Sequence, residues 1–274
     1  MTINCRGKII DLSTPKVMGI LNLTPDSFYD GGKLANDEAI LMHVEKMLKD
    51  GADIIDIGGM SSRPGAEIIS EEEELSRILR VTQSILQRFP DAIISVDTIR
   101  ASVAAETLKA GVHIINDISG GRYDEQMLTT VAQYKAPFIV MHMQGTPNRM
   151  QDNPVYENVV TEVYDFFAER INACKQAGIM DIILDPGFGF GKTVVHNYTL
   201  LRNLQYFSHL HLPLMTGASR KSMICKVLGV NPDKALNGTT AVNTLSLLNG
   251  ANILRVHDVK EAREVVKIWQ AYRE

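Results

Sequence analysis

Short apolar runs along this 274-residue chain repeatedly finish in a residue that can hydrogen bond or carry charge. Asn22, Asp56, Asp97, Asn116, His142 and Asp185 end six of them; Ser219, Arg220 and Lys221, and then Arg255 and His257, follow two more. Burying an unpaired charge is costly, so a carboxylate closing a buried segment calls for a reason. A single Asp there can be the cap of the next helix, but the recurrence points to one shared site. Asp97, Asn116 and Asp185 are mainly acceptors, with one amide donor among them. Such a set suits the edge of a planar heterocycle rich in N–H donors, of the guanidine kind. A divalent metal is the competing use of the same oxygens, although no HxH or DxD pair accompanies them at the run ends.

Cationic and hydroxyl groups gather in three neighbouring stretches. GILNLTPDSFYDGG (19–32) offers Asn22, Thr24, Asp26 and Ser27 to a hard cation or a phosphate. IDIGGMSSRPGA (55–66) combines small residues with Ser62 and Arg63, and Pro64 stiffens it. GASRKSM (217–223) brings Ser219, Arg220, Lys221 and Ser222, with Arg255 and His257 expected beside them. The glycine-rich DPGFGFGKT (185–193) invites a nucleotide-loop reading and fails it. Pro186 stands where a Walker A loop needs its first glycine, and Gly187, Gly189 and Gly191 are spaced GxGxG instead of GxGxxG. These glycines suit a backbone passing close under a flat ring, and Lys192 is not expected to bind substrate.

What must position these groups is an eightfold repetition of apolar run and helix. The runs are VMGILN (17–22), DIIDIG (53–58), AIISVD (92–97), HIIND (113–117), PFIVMH (137–142), DIILD (181–185), LPLMTG (212–217) and NILRVH (252–257). Their near-continuous hydrophobicity is that of strands buried on both faces. Helical patterns lie between them: 37–50 before Gly51, 70–88 opened by a Ser70/Glu73 capping box, and 155–177 before Gly178. Asp258 with Glu261 is expected to start the last helix, whose Val259, Ala262, Val266, Trp269 and Tyr272 share a face. The fold class that fits is α/β, a (β/α)8 TIM barrel forming a single domain over 1–274 with its core at about 16–270. An open doubly wound sheet is the alternative. In a barrel all the polar run ends converge on one mouth, at the C-terminal ends of the strands.

Composition sets the outer limits. Lys and Arg number 28 against 32 Asp and Glu, a net charge of −4, which gives no general case for nucleic acid or an acidic membrane as partner. The three cysteines have no CxxC spacing, and Cys174 falls on the stripe Val160, Val163, Phe167, Ile171, so a reducing compartment without disulfides is expected. No secretory signal and no membrane-length apolar run is read, so the expected location is cytoplasmic.

With these residues in place, the chain resembles the dihydropteroate synthases, the folate-pathway members of the pterin-binding barrel family. The resemblance runs from about residue 16 to 270 through GILNLTPDSF (19–28), GGMSSRPGA (58–66), SVDT (95–98), IINDI (114–118), MHMQG (141–145), DPGFGFGK (185–192), SRKS (219–222) and RVHDV (255–259). It implies a TIM barrel and a reaction: 6-hydroxymethyl-7,8-dihydropterin diphosphate joined to p-aminobenzoate, with Mg²⁺, to give 7,8-dihydropteroate and pyrophosphate. It also implies a homodimer whose partners are otherwise small-molecule substrates.

By that resemblance Asp97, Asn116, Asp185, Lys221 and Arg255 form the pterin pocket, Asp97 stabilising developing positive charge. Asn22, Ser62, Arg63, Arg255 and His257 take the diphosphate, with Asn22 on the Mg²⁺. Phe28, Arg63, Pro64, Phe190, Ser219, Lys221 and Ser222 take p-aminobenzoate. Asn22, Asp97, Lys221 and Arg255 would be the catalytic set. Two departures stand out: Met60 where many relatives have Glu, and Ser62 where they have Thr; DTIRAS (97–102) also differs from the commoner versions. The alternatives are a methyltetrahydrofolate–corrinoid methyltransferase on the same kind of barrel, and a paralogue that binds pterin without turnover. The NLTPDSF and SRKS motifs speak against the first, and the retained charged residues against the second.

Overall fold

The computed structural model of the chain describes residues 1–23, 33–60, 69–145 and 154–274. Two strands absent from the sequence reading come first: β1 (Thr2–Cys5) and β2 (Lys8–Asp11) pair as an antiparallel hairpin. Eight parallel strands follow at the expected places. They are β3 (Lys16–Asn22), β4 (Ile54–Gly58), β5 (Ile94–Asp97), β6 (Ile114–Asp117), β7 (Phe138–Met141), β8 (Ile182–Asp185), β9 (Met215–Thr216) and β10 (Ile253–Val256). Their lateral order is β8-β7-β6-β5-β4-β3-β10-β9, and a parallel bridge between Leu184 and Leu214 joins the two ends. The sheet is therefore a nearly closed barrel, and the open doubly wound alternative is set aside.

Around it lie α1 (Lys33–Lys49), α2 (Glu71–Arg88), α3 (Ala101–Lys109), α4 (Met127–Gln133), α5 (Val159–Ala177), α6 (Val194–Arg202), α7 (Ser222–Leu228), α8 (Leu236–Leu248) and α9 (Val259–Arg273). Ser70 caps α2 by accepting from the Glu73 N–H at 3.2 Å, but the Glu73 carboxylate pairs with Arg77, so the capping box is half formed. Gly178 ends α5 in the left-handed region, as expected, while Asn158 opens that helix. Asp258 does not cap α9 with its side chain; both its oxygens accept from Arg220 instead. On α9 Val259, Ala262 and Val266 are buried with Val265, whereas Tyr272 is exposed. Among the described residues no helix is long and apolar enough to cross a membrane.

Alternation along the strands decides what faces inward, since neighbouring side chains point to opposite sides of a sheet. Val17, Ile55, Ile115, Ile182, Leu184 and Leu254 join the core between barrel and helices, which also takes Cys174. Met18, Ile54, Ile114, Ile139, Ile183, Met215 and Ile253 form a separate apolar layer with Ile3, Cys5, Ile10 and Leu12 of the hairpin. The hairpin thus seals the N-terminal end of the barrel, and each fully buried Ile there contributes roughly 1.5–3 kcal/mol. Two residues further along several of the same strands, in the same phase, stand Asp56, Asn116, Asp185 and Arg255. The floor that supports the mouth is built from the same inward positions.

Candidate functional site at the barrel mouth

Arg255, within β10, is the hub of the mouth. Its Nε donates to Asp56 Oδ2 at 2.6 Å and an Nη to Asp97 Oδ2 at 2.9 Å. Asn116 donates its amide N–H to the same Asp56 oxygen at 3.1 Å. Asp56 Oδ1 is buried and has no hydrogen-bond partner among the described residues. The guanidinium is well matched to this work, because it keeps its charge at any physiological pH and its donors lie in a fixed fork. Against the effect of burial, the two carboxylates beside it raise its pKa still further.

Burial pushes the Asp97 carboxyl up to about 7; Arg255 opposes the shift and the like charge of Asp56 adds to it. Asp185 is also raised by burial, with Lys221 opposing most strongly and the Gly187 N–H, donated to Oδ1 at 2.8 Å, helping. Lys221 is pulled down to about 8 by burial against the attraction of Asp185. The mouth therefore holds acids that ionise late and a lysine that gives up its proton early, the pattern of a desolvated site lined by opposite charges.

The strand exits bring the remaining groups close. A Cβ on Gly217 would stand 3.8 Å from Arg255 Cβ and 3.9 Å from Asp185 Oδ2, so both side chains come up to the same bare stretch of backbone. A Cβ on Gly58 would meet Asn22 Oδ1 at 3.5 Å and Asp97 Cβ at 3.8 Å, so Asn22 flanks Asp97. Lys221 Nζ donates to the Phe188 carbonyl at 2.6 Å and lies 4.5 Å from the centre of the Phe190 ring, a cation–π arrangement. Phe190 is buried with Ile99, Ile118 and Met141, and Met60 packs against this group. Ser219 Oγ lies 3.1 Å from His257 Nδ1 and accepts the His257 backbone N–H at 3.2 Å.

Of the residues expected from sequence, Asn22, Asp97, Asn116, Asp185, Phe190, Ser219, Lys221, Arg255 and His257 come to this end of the barrel. Ser222 follows Lys221 as the first residue of α7 and is exposed. Thr24, Asp26, Ser27, Phe28, Ser62, Arg63 and Pro64 lie outside the described residues. Arg220 is a correction. The sequence puts it in the cationic patch, yet its side chain is tied to Asp258 at 2.7 and 2.8 Å and to the Pro232 carbonyl at 3.1 Å. Its backbone is left-handed, at φ 57°, so the chain reverses between Arg220 and Lys221. Asp56 stands out in the sequence as a strand-end residue without a role; its phase, two after the floor residue Ile54, is the signal that puts it in the mouth.

As a metal site the acceptor trio is poorly disposed, because Asp97 is engaged by Arg255, and Asn116 presents its amide N–H to Asp56. Among the described residues no group of three or more His, Cys, Asp or Glu is arranged to hold a metal. Asn22 offers a single carbonyl oxygen beside Asp97. That suits Mg²⁺, which keeps several waters and binds through one or two protein oxygens plus substrate phosphates.

The sequence pattern of the pterin binding enzyme family matches residues 18–257. A dihydropteroate synthase of Escherichia coli K12 is 47% identical over 273 residues, spanning 99% of this chain and 96% of its own. The dihydropteroate synthase of Yersinia pestis, solved with a sulfonamide drug, superposes with a TM-score of 0.94 at 46% identity, covering 100% of this chain and 99% of the other. That of Xanthomonas albilineans, solved in complex with 7,8-dihydropteroate, gives a TM-score of 0.90 at 37% identity, again covering 100% and 99%.

Proposed function

The chain belongs to the pterin-binding enzyme family, and from that membership and the mouth's geometry we infer that it acts as a dihydropteroate synthase. It condenses 6-hydroxymethyl-7,8-dihydropterin diphosphate with p-aminobenzoate, releasing pyrophosphate and 7,8-dihydropteroate, which makes it a transferase. The observation that carries the reading is the pairing of acceptors with half-buried cations in one mouth: buried Asp185 beside Lys221, and half-buried Asp97 beside Arg255. Acceptors answer the N–H edge of the pterin, and cations answer its carbonyl and the departing diphosphate.

Asp185 accepts from the ring amino group and the adjacent N–H, Asn116 meets the same edge, and Lys221 donates to the carbonyl region. Asp97, ionised, stabilises the positive charge that spreads into the dihydropterin as the carbon–oxygen bond to the diphosphate breaks. Arg255 follows the charge developing on the leaving group together with His257, and the family resemblance assigns Ser62 and Arg63, which lie outside the described residues, to the same diphosphate. Asn22 would hold Mg²⁺ together with the substrate's own oxygens, and the ion would supply further neutralisation of the diphosphate. Phe190, Ser219 and Ser222, with Phe28, Arg63 and Pro64, hold p-aminobenzoate so that its amine reaches the methylene carbon; a weak nucleophile then needs only positioning. The substitution is dissociative and forms no covalent bond to the enzyme. A sulfonamide would compete for this second subsite.

The methyltransferase alternative is disfavoured by the full-length likeness to named dihydropteroate synthases. The reading further includes a homodimer and a cytoplasmic location, for which the exposed apolar Val227, Leu228, Leu245 and Leu248 and the free cysteines are the supporting features. The test is pyrophosphate release with and without p-aminobenzoate and Mg²⁺. Amine-dependent formation of dihydropteroate is expected, and its absence with active substrate refutes the activity. A pterin–protein adduct found by mass spectrometry refutes the dissociative course.

A further inference from the structure

Lys192 takes no part in the chemistry above, yet it is almost entirely buried, at 3% exposure. Its Nζ lies 2.8 Å from His142 Nδ1 and donates to three carbonyls, of His142 at 3.2 Å, Gly187 at 3.1 Å and Phe190 at 3.0 Å. All four partners are neutral: burial, then the charge of Lys192 itself, holds the His142 imidazole far below its usual pKa. An ammonium can only donate, so Nδ1 presents its lone pair and the neutral His142 carries its proton on Nε2. Three carbonyl oxygens converging on one buried point repel one another unless a cation stands between them.

The convergence exists because the 185–193 segment is pressed directly onto the exit of β7. A Cβ on Gly187 would come within 2.0 Å of the His142 carbonyl oxygen, and one on Gly191 within 2.6 Å of that of Gln144. Both glycines are also left-handed, at φ 67° and 60°. The same segment carries Asp185, the Phe188 carbonyl that receives Lys221, and the Phe190 ring beneath it. On its other side neutral bonds hold it: Asn197 accepts from the Gly189 N–H at 2.8 Å, and Tyr156 donates to the Gly191 carbonyl at 2.8 Å. Among the described residues the segment is therefore held by charged donors at two places, to the exit of β7 through Lys192 and at the Phe188 carbonyl through Lys221.

We propose that Lys192 is a positioning residue for both substrates: its ammonium fastens the 185–193 segment to β7, fixing Asp185 for the pterin and Phe190 for the aromatic amine, and its charge adds to those that favour ionised Asp185. The proposal rests on the pterin role given to Asp185 above. Against the effect of burial, the Asp185 pKa is lowered most by Lys221, then by the Gly187 N–H and Arg255, with Lys192 adding the smallest part. Burial pulls Lys192 itself down to about 7, and Asp185 in turn raises it against that pull and the charge of Lys221. The other titratable groups facing the pair are His142, with Arg122 beside it, and the Tyr156 and His196 rings stacked nearby.

Pterin affinity measured by calorimetry against pH tests it. Folded Lys192→Met, checked by circular dichroism, should bind pterin about two- to threefold more weakly near pH 6, because Asp185 loses one of its stabilising charges and its carboxyl protonates at higher pH. The acid midpoint of binding moves upward, and the KM for p-aminobenzoate rises with it. Lys192→Arg, which keeps the charge, should return the midpoint towards the wild-type value. An unchanged midpoint in Lys192→Met, whatever the affinity, overturns the proposal, since a packing role alone would weaken binding equally at every pH. If Lys192→Met does not fold, the titration of the Lys192 ε-carbon by NMR decides the matter in the wild-type chain and in Asp185→Asn. Its pKa must fall when Asp185 loses its charge, and no change overturns the proposal. A wild-type chain that binds no pterin faults the function reading instead and leaves that titration as the independent test of Lys192.

Discussion

The floor and the mouth of this barrel occupy the same phase of the same strands, two residues apart, and have opposite characters. Ile54, Ile114, Ile183 and Ile253 lie below; Asp56, Asn116, Asp185 and Arg255 lie above. The floor buries apolar surface under the hairpin and carries no titratable work. The mouth is held in costly states: an Asp56 oxygen without a partner among the described residues, an Asp97 raised to about 7, and a Lys221 lowered to about 8. One backbone geometry thus serves two ends, and the side chains alone divide stability from function. Functional sites commonly break the local rules of packing that the rest of a fold obeys.

The division is broken most sharply at β8. Asp185→Ala should raise the pterin dissociation constant by about 100-fold or more, because the ring's buried N–H donors lose their acceptor. Calorimetry checks this, and unchanged affinity removes Asp185 from the pterin pocket. Ile183→Ala, two residues below, should do the reverse. It should cost about 2–5 kcal/mol of stability in denaturant unfolding through the cavity it leaves, with KM values little altered. If Ile183→Ala instead damaged pterin binding as severely as Asp185→Ala, the two layers would be one functional unit and the comparison would fail.

The mouth is largely legible from sequence because a polar residue closing an apolar run is conspicuous wherever the run is buried on both sides. Asn22, Asp97, Asn116, Asp185, Lys221 and Arg255 all announce themselves in this way, and the eight runs lead to the barrel. The floor is less visible. TINC and KIID are short strands with an ordinary mixture of residues, and only their contact with the barrel interior makes them part of the core. Arg220 misleads because composition cannot show a left-handed residue turning one cation outward while its neighbour turns in. Lys192 is buried with its charge shared among carbonyls from two segments, and such an arrangement has no sequence signature. The family resemblance supplies the substrates, which the spacing of acceptors alone leaves open between a heterocycle and a metal.

A smaller effect separates the members of the mouth from one another. If ionised Asp97 stabilises the pterin cation, kcat/KM for the pterin substrate should fall as pH drops through about 7. Asp56 contributes to that value by like-charge repulsion, so Asp56→Asn should lower the Asp97 pKa and move the acid limb to lower pH. The amide carbonyl introduced by that change would still offer Arg255 an acceptor, which keeps the hub in place. A limb that moves upward, or stays, would show that another group governs it.

The weakest effect is expected where the mouth meets solvent, at Ser222. This residue opens α7 directly after Lys221, but it is exposed, so water can replace whatever its hydroxyl gives to a substrate. A neutral hydrogen bond in such a place is worth about 0.5–1.5 kcal/mol, which corresponds to roughly a twofold to tenfold rise in KM for p-aminobenzoate in Ser222→Ala. Pterin affinity should stay as it is, because the groups assigned to the pterin are Asp97, Asn116, Asp185, Lys221 and Arg255. Steady-state kinetics with each substrate varied in turn separates the two. Equal losses for both substrates would mean that Ser222 acts by placing Lys221, and the second subsite would then have to be drawn around Phe190 and Ser219 alone.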